Sequence, residues 1–245
     1  MSIPFETDQA VLEQLLIDST ASRVLDIATG RGDFLIWIME MLKRVELAVG
    51  IDEQVRPLRM LKENHADAGM KAARMDAARL GIRDGSFDLV CVSQSLHHVP
   101  DPQSSLKEMV RVVRRGGMVV VREMYADHQT GPQQMHVDLH HWWAAVDTAR
   151  GVSHRNTYPR EELAGLFLAL NLPTVRLFEL AEPEGDPLDP ARIEKLDAII
   201  QRYQGMVDQI ENGNGLKERG HELRERLHAV GFQGAAQLVM LGWKS

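Results

Sequence analysis

The sequence predicts an α/β fold in which a mostly parallel sheet carries helices on both faces. Three observations lead there. Short apolar runs alternate with longer amphipathic segments through the first 125 residues, the pattern of repeated strand–helix–strand units. The first run closes on a glycine turn, Gly30-Arg31-Gly32, which allows close approach of backbone to a ligand. Three successive runs also end in acids, Asp26, Asp52 and Asp76. Ligands of open α/β sheets bind outside the carboxyl ends of the strands, so three acids there outweigh any one of them.

The elements follow in order. Asp8–Ser19 has an amphipathic pattern (Val11, Leu12, Leu15, Leu16) and predicts an N-terminal helix within a helical segment spanning 1–22. Strands are predicted at Arg23–Ile27, Leu47–Ile51, Lys71–Met75, Phe87–Val92 and Gly117–Glu123, with helices near Phe34–Arg44, Gln54–Ala68 and Pro102–Arg114 between them. Asp101 before Pro102 is an N-cap with proline at the first helical position, and Gly116-Gly117 reads as the end of that helix. Helices are then expected over His136–Arg150 and from Pro159 to Leu170, and strands near Thr174–Leu180 and Ala236–Trp243, which makes seven strands. The stretch 182–230 lies between the last two. It opens on a Pro- and acid-rich linker and continues as two polar helices, about 191–211 and 215–230, joined by Asn212-Gly213-Asn214-Gly215. It reads as an inserted helical hairpin in a single domain covering 1–245.

Composition narrows the function classes. The 245 residues are 44% hydrophobic and 26% charged, as in ordinary globular chains. A net charge of −7 and a pI near 5.8 argue against nucleic-acid partners, which select clustered Lys and Arg. The lone Cys91 lies in an apolar run and excludes an internal disulfide or a multi-cysteine metal site. No apolar run reaches membrane-spanning length, and Met1 to Gln9 lacks the basic start and apolar core of a signal peptide, so a cytoplasmic location is expected.

The turn itself discriminates between ligands. A dinucleotide fingerprint requires a third glycine where Leu35 stands, and Asp26 ahead of the turn would repel a pyrophosphate. Both speak against a nicotinamide-dependent oxidoreductase and for a ligand with a cationic or hydroxyl-rich head. Asp52, in Val49-Gly50-Ile51-Asp52, lies where an acid can accept from both ribose hydroxyls of an adenosine, or can serve the next helix as an N-cap. Asp76 can accept from an adenine amine.

With these residues in place, the chain resembles class I S-adenosylmethionine-dependent methyltransferases, of the broad group that includes the ubiquinone/menaquinone C-methyltransferases. The resemblance covers Ser19 to Tyr125. It rests on the Asp-x-x-x-Gly-x-Gly of Asp26 to Gly32, Val49–Asp52, Met75-Asp76-Ala77, Gly85–Val90, Ser95–Pro102 and Val113–Met118. Arg115 departs from the proline that many relatives carry before the Gly-Gly pair. The resemblance implies a Rossmann-like sheet whose last strand is antiparallel, with S-adenosylmethionine as cofactor. It further implies that Asp26, Ala28, Thr29, Gly30 and Gly32 hold the methionine part. Asp52 and Glu53 would take the ribose, Asp76 and Ala77 the adenine, and Ser93 and Gln94 the floor below the methyl group.

The acceptor side is expected from residues 126–172, where methyltransferases of this type build a cover. His97, His98 and His140 are the candidate catalytic bases, since a histidine titrates near neutral pH. One of the pair His97-His98 has a competing reading as a structural loop residue. His136, His140, Trp143 and Asp147 fall on one helix face. They read as a substrate wall together with Phe5 and Glu123, as ordinary packing, or as a His136–His140 metal pair with Glu123. The wall is favoured, and no metal is assigned, because Val137 stands where a zinc-protease helix has its glutamate. The leading expectation is methyl transfer to a small-molecule acceptor at C, O or N. A cofactor-binding protein without transferase activity is the alternative, its inserted hairpin serving as a partner or homodimer surface.

Overall fold

The computed structural model describes residues 3–181 and 185–245, so the expected spans 1–22 and 182–230 each begin on residues outside the described ones. The chain divides into two compact units. One comprises Met1–Glu123, Ala164–Leu180 and Leu238–Ser245, the other Met124–Leu163 and Ala181–Gln237.

The first unit is built on an eight-stranded sheet. Its strands are β1 (Phe5–Glu6), β2 (Arg23–Ile27), β3 (Leu47–Asp52), β4 (Lys71–Arg74), β5 (Phe87–Ser93), β6 (Val113–Met124), β7 (Thr174–Leu180) and β8 (Gln237–Trp243), in the order β1-β7-β8-β6-β5-β2-β3-β4. The expected count of seven is corrected by β1. This two-residue strand pairs Phe5 with Leu177 in parallel, and a Glu6–Arg176 ion pair holds it at the sheet edge. Two residues are too few to show an alternating pattern, so the sequence gives no strand signal there. β2 pairs in parallel with both β3 and β5, and β5 with β6. β8 is reversed against β6: Gly116 N–H donates to Lys244 O near one end, and Tyr125 N–H to Ala236 O at the other.

Helices α1 (Gln9–Ile17), α2 (Asp33–Met41), α3 (Val55–Asn64) and α4 (Pro102–Val112) complete the strand–helix alternation. Asp8 caps α1 by accepting from Ala10 and Val11, and Asp101 caps α4 by accepting from Ser104. Leu12, Leu16, Leu35 and Ile38 bury one face of the sheet through Val24, Cys91, Val120 and Leu241. Gly116-Gly117 does not end α4 as expected. The helix stops at Val112, Lys244 Nζ donates to Val110 O and Val113 O, and the glycines lie inside an irregular stretch of β6. A Cβ on Gly117 would meet Asp88 O at 2.6 Å, so this bulge admits only glycine.

In the second unit α5 (Gly131–Ala149) packs against α7 (Pro190–Val207) and α8 (Asn214–Val230). Helix α6 (Arg160–Leu168) precedes β7 in the chain. Met135, Leu139, Trp142 and Val146 of α5 meet Ile193, Leu196, Ile200, Leu223 and Leu227. Trp142 Nε1 donates to Leu216 O at 2.8 Å, and its ring lies where any Cβ on Gly220 would be, 2.5 Å away. Asp197 of α7 accepts from Nε and Nη2 of Arg224 on α8, a paired geometry that holds its carboxyl down at about 2.

Candidate functional site

The carboxyl ends of β2, β3 and β5 form one rim. After β2 the backbone enters the left-handed region at Ala28 (φ 50°), Gly30 (φ 56°) and Gly32 (φ 90°). Only the glycines adopt it without cost, so Ala28 is strained. The turn is fixed to β3. Thr29 N–H donates to Ile51 O at 2.8 Å, and Gly30 N–H to Asp52 Oδ2 at 3.2 Å. Gly50 permits this closeness, because a Cβ there would lie 2.7 Å from Thr29. A Cβ on Gly30, by contrast, would meet nothing within 4 Å. The turn therefore presents open space beside a half-buried carboxylate.

Asp26 sits beneath the turn at 1% exposure. Thr29 Oγ1 donates to it at 2.6 Å and Cys91 Sγ at 3.4 Å, and burial pushes its carboxyl up to about 7. The Cys91 thiol is raised as well, by burial and by the neighbouring Asp26. Asp26 thus supports the turn from below rather than lining its open side. Sequence reasoning missed Cys91 as its partner, since 65 residues separate the two. Asp52 also accepts from Gln54 N–H at 2.8 Å, so it serves both the turn and the start of α3. Glu53 is exposed, and its carbonyl accepts from Arg74 Nε at 2.8 Å. Asp76 lies exposed two residues past β4, accepting from Ala78 N–H at 2.8 Å, with Ala77 half-buried between them.

Beyond β5, Ser93 and Gln94 are half-buried, and Gln94 is a second strained residue (φ 48°) on the rim. Ser95 Oγ reaches Ser93 O at 2.8 Å and Ala28 O at 3.3 Å, linking the two strained turns. The loop is then clamped by Glu123, which is fully buried. Its Oε2 accepts from Leu96 N–H at 2.8 Å and its Oε1 lies 3.0 Å from His97 Nδ1. His97 is 2% exposed, whereas His98 is exposed, its ring centroid 4.2 Å from that of His97. Glu123, expected to contact substrate, is engaged with its own loop. Phe5, expected likewise, stands in β1, five strand positions from β2. At about 4.8 Å per step that is about 24 Å from β2 and about 19 Å from β5, the nearest strand of the rim.

In the second unit the expected α5 face comes apart. His136 Nδ1 accepts from Ala235 N–H at 2.9 Å and its ring packs on Phe232, so His136 and His140 do not converge. His140 meets His154 instead, Nε2 to Nε2 at 3.2 Å, and His154 Nδ1 lies 2.9 Å from Asp147 Oδ2. Trp143 packs half-buried on Tyr203. His154 carries no sequence signal: it lies in an irregular segment, where no helix period connects it to His140. A cavity of about 300 Å³ also opens in the first unit, at the amino ends of β5 and β6, away from this rim. Its charged pair, Asp88 and Arg114, is spent on itself and on Ser22 and Arg23.

Residues 25–121 match the family model described as a methyltransferase domain. This segment is a methyltransferase domain. Demethylmenaquinone methyltransferase of Staphylococcus aureus is 37% identical over 103 residues, which cover 42% of this chain and 43% of that protein. The alignment thus spans less than half the length of these curated relatives. Among solved structures, the YcgJ protein of Bacillus subtilis superposes with a TM-score of 0.60 at 15% identity, over 96% of this chain and 97% of that one. A phosphoethanolamine N-methyltransferase of Haemonchus contortus, in complex with phosphomonomethylethanolamine and S-adenosylhomocysteine, gives 0.57 at 16% identity over 96% and 52%. At these identities the structures establish the shared fold. The methyltransferase domain coincides with the strand–turn–helix units that build the rim. Among the described residues, no helix is long and apolar enough to cross a membrane.

Proposed function

We propose that this chain transfers the methyl group of S-adenosylmethionine to a small-molecule acceptor. The observation that carries the reading is the strained turn at Ala28–Gly32, tied to Asp52 and open above Gly30. That cradle fits the cofactor on chemical grounds: an acid and unblocked backbone suit an ammonium and a ribose, and suit a pyrophosphate poorly. When bound, S-adenosylmethionine supplies an activated sulfonium methyl for in-line displacement.

The protein's own groups then position and desolvate. Asp52 accepts the ribose hydroxyls while keeping Gly30 N–H in place. Asp76 and Ala77 border the adenine, and Ser93 and Gln94 form the floor at the β5 end. Glu123 fixes the Leu96–His98 loop, so that His98 takes the acceptor's proton where the acceptor atom carries one. His97 is the positioning member of that pair.

Incubation with methyl-labelled cofactor and a fractionated metabolite extract tests the reading. Label should appear in a low-molecular-weight product, and cofactor binding without any transfer would remove the enzymatic assignment.

A further inference from the structure

We propose that His140 and His154 are the imidazole ligands of a divalent transition-metal site of the zinc class, oriented by Asp147. All three residues belong to the second unit, and their geometry does not depend on the methyl-transfer reading. The two Nε2 atoms face each other at 3.2 Å, with their rings at 81°. Two nitrogens each about 2.0–2.1 Å from a tetrahedral cation stand about 3.3–3.4 Å apart, so the pair already has ligand spacing.

The hydrogen bond from His154 Nδ1–H to Asp147 Oδ2, at 2.9 Å, fixes the tautomer that leaves Nε2 as a lone-pair donor. A carboxylate behind a ligating histidine is the usual outer partner of such a site. His140 is 8% exposed, and the His154 side chain is 9% exposed. Both are therefore shielded from bulk water, which strengthens coordination to a cation.

The rings are also held from behind. His140 and Asp147 lie seven residues apart on α5, two turns along one face. The segment carrying His154 is pinned to the same helix twice. Thr148 Oγ1 donates to His154 O at 2.9 Å, and Thr157 N–H donates to His141 Nε2 at 3.2 Å. Preorganisation of this kind lets two neutral imidazoles serve as a metal pair, a ligand type that suits zinc, copper, nickel and iron(II). Water or a small oxygen- or nitrogen-donor ligand completes the coordination.

Cobalt(II) titration of the metal-stripped, full-length protein reads this directly, with zinc competition and a thermal melt run in parallel. The wild type should develop the visible bands of a low-symmetry cobalt site, lose them when zinc is added, and melt at a higher temperature with either metal. His140→Ala and His154→Ala should abolish the bands while retaining the wild-type circular dichroism spectrum. Asp147→Asn should keep them but bind about 10–100-fold more weakly, as loss of an outer-shell partner does. The milder His154→Asn takes the place of the alanine variant if that one fails to fold. No cobalt or zinc binding by folded wild type, or binding that survives both histidine substitutions, overturns the proposal and leaves an imidazole–imidazole hydrogen bond.

Discussion

Asp26 shows how a residue can be read correctly in place and differently in role. Its position below the turn follows from the strand, but its burial follows from Thr29 and Cys91 closing over it. A carboxyl at about 7 in the folded chain, against an ordinary value of 3.8, keeps its proton in the native state while the unfolded chain has lost it. Stability from this group is therefore present below about pH 4 and declines as pH rises towards 7. The difference is on the order of 4 kcal/mol. Urea unfolding of wild type and Asp26→Asn at pH 4.5 and pH 8 should show wild type losing ground to the variant at the higher pH. A pH-independent difference would mean the carboxyl is not the group that titrates. Asp52→Ala should weaken cofactor binding by about tenfold or more in calorimetry, since charge-assisted hydrogen bonds contribute about 1.5–3 kcal/mol each. Unchanged affinity would displace the adenosine from this rim. Glu123→Gln should leave that affinity intact and lower turnover, because it loosens His97 without touching the turn. Steady-state kinetics separates the two effects.

At the scale of elements, the sequence pattern located most strands and helices, because the helices bury one face and leave the other wet, while the central strands are buried on both faces and read as continuous apolar runs. The failures share a cause. β1 has two residues and is held by pairing with β7, and the Gly116-Gly117 bulge is imposed by the close passage of Asp88 O. Neither is a local property of the chain. The docking of α5 on α8 is similarly decided by one absent side chain. Gly220→Ala puts a methyl 2.5 Å from the Trp142 ring, and overpacking of this kind costs about 1–3 kcal/mol. Denaturant midpoints should fall accordingly. An unshifted midpoint would show that the tryptophan can move aside.

At the scale of the whole molecule, each unit has its own buried core, one around Val24, Cys91 and Phe178 and the other around Leu139, Trp142 and Leu223. On the proposed function, cofactor bound at the rim stabilises what it touches. A ligand at a hundred times its dissociation constant adds about 2.7 kcal/mol to the state that binds it. Hydrogen exchange with saturating S-adenosylhomocysteine should therefore slow the amides of residues 28–32 and 52–54 in the first unit. Exchange unaffected there, with protection appearing elsewhere, would relocate the cofactor.

The rim proposed for the cofactor was legible in the sequence because its parts are local: a strand, a glycine turn and an acid recur within a few residues of one another. The sequence by itself thus determined the α/β class, the methyltransferase domain and the acids at the three strand ends. Tertiary structure decided the rest. It buried Asp26 against Cys91, committed Glu123 to His97, turned His136 towards Ala235 and brought His154 to His140. Each of these pairings joins residues whose separation follows no helical or strand period. Sequence periodicity tells which side of an element faces inward, whereas the partner met there is set only when the elements pack.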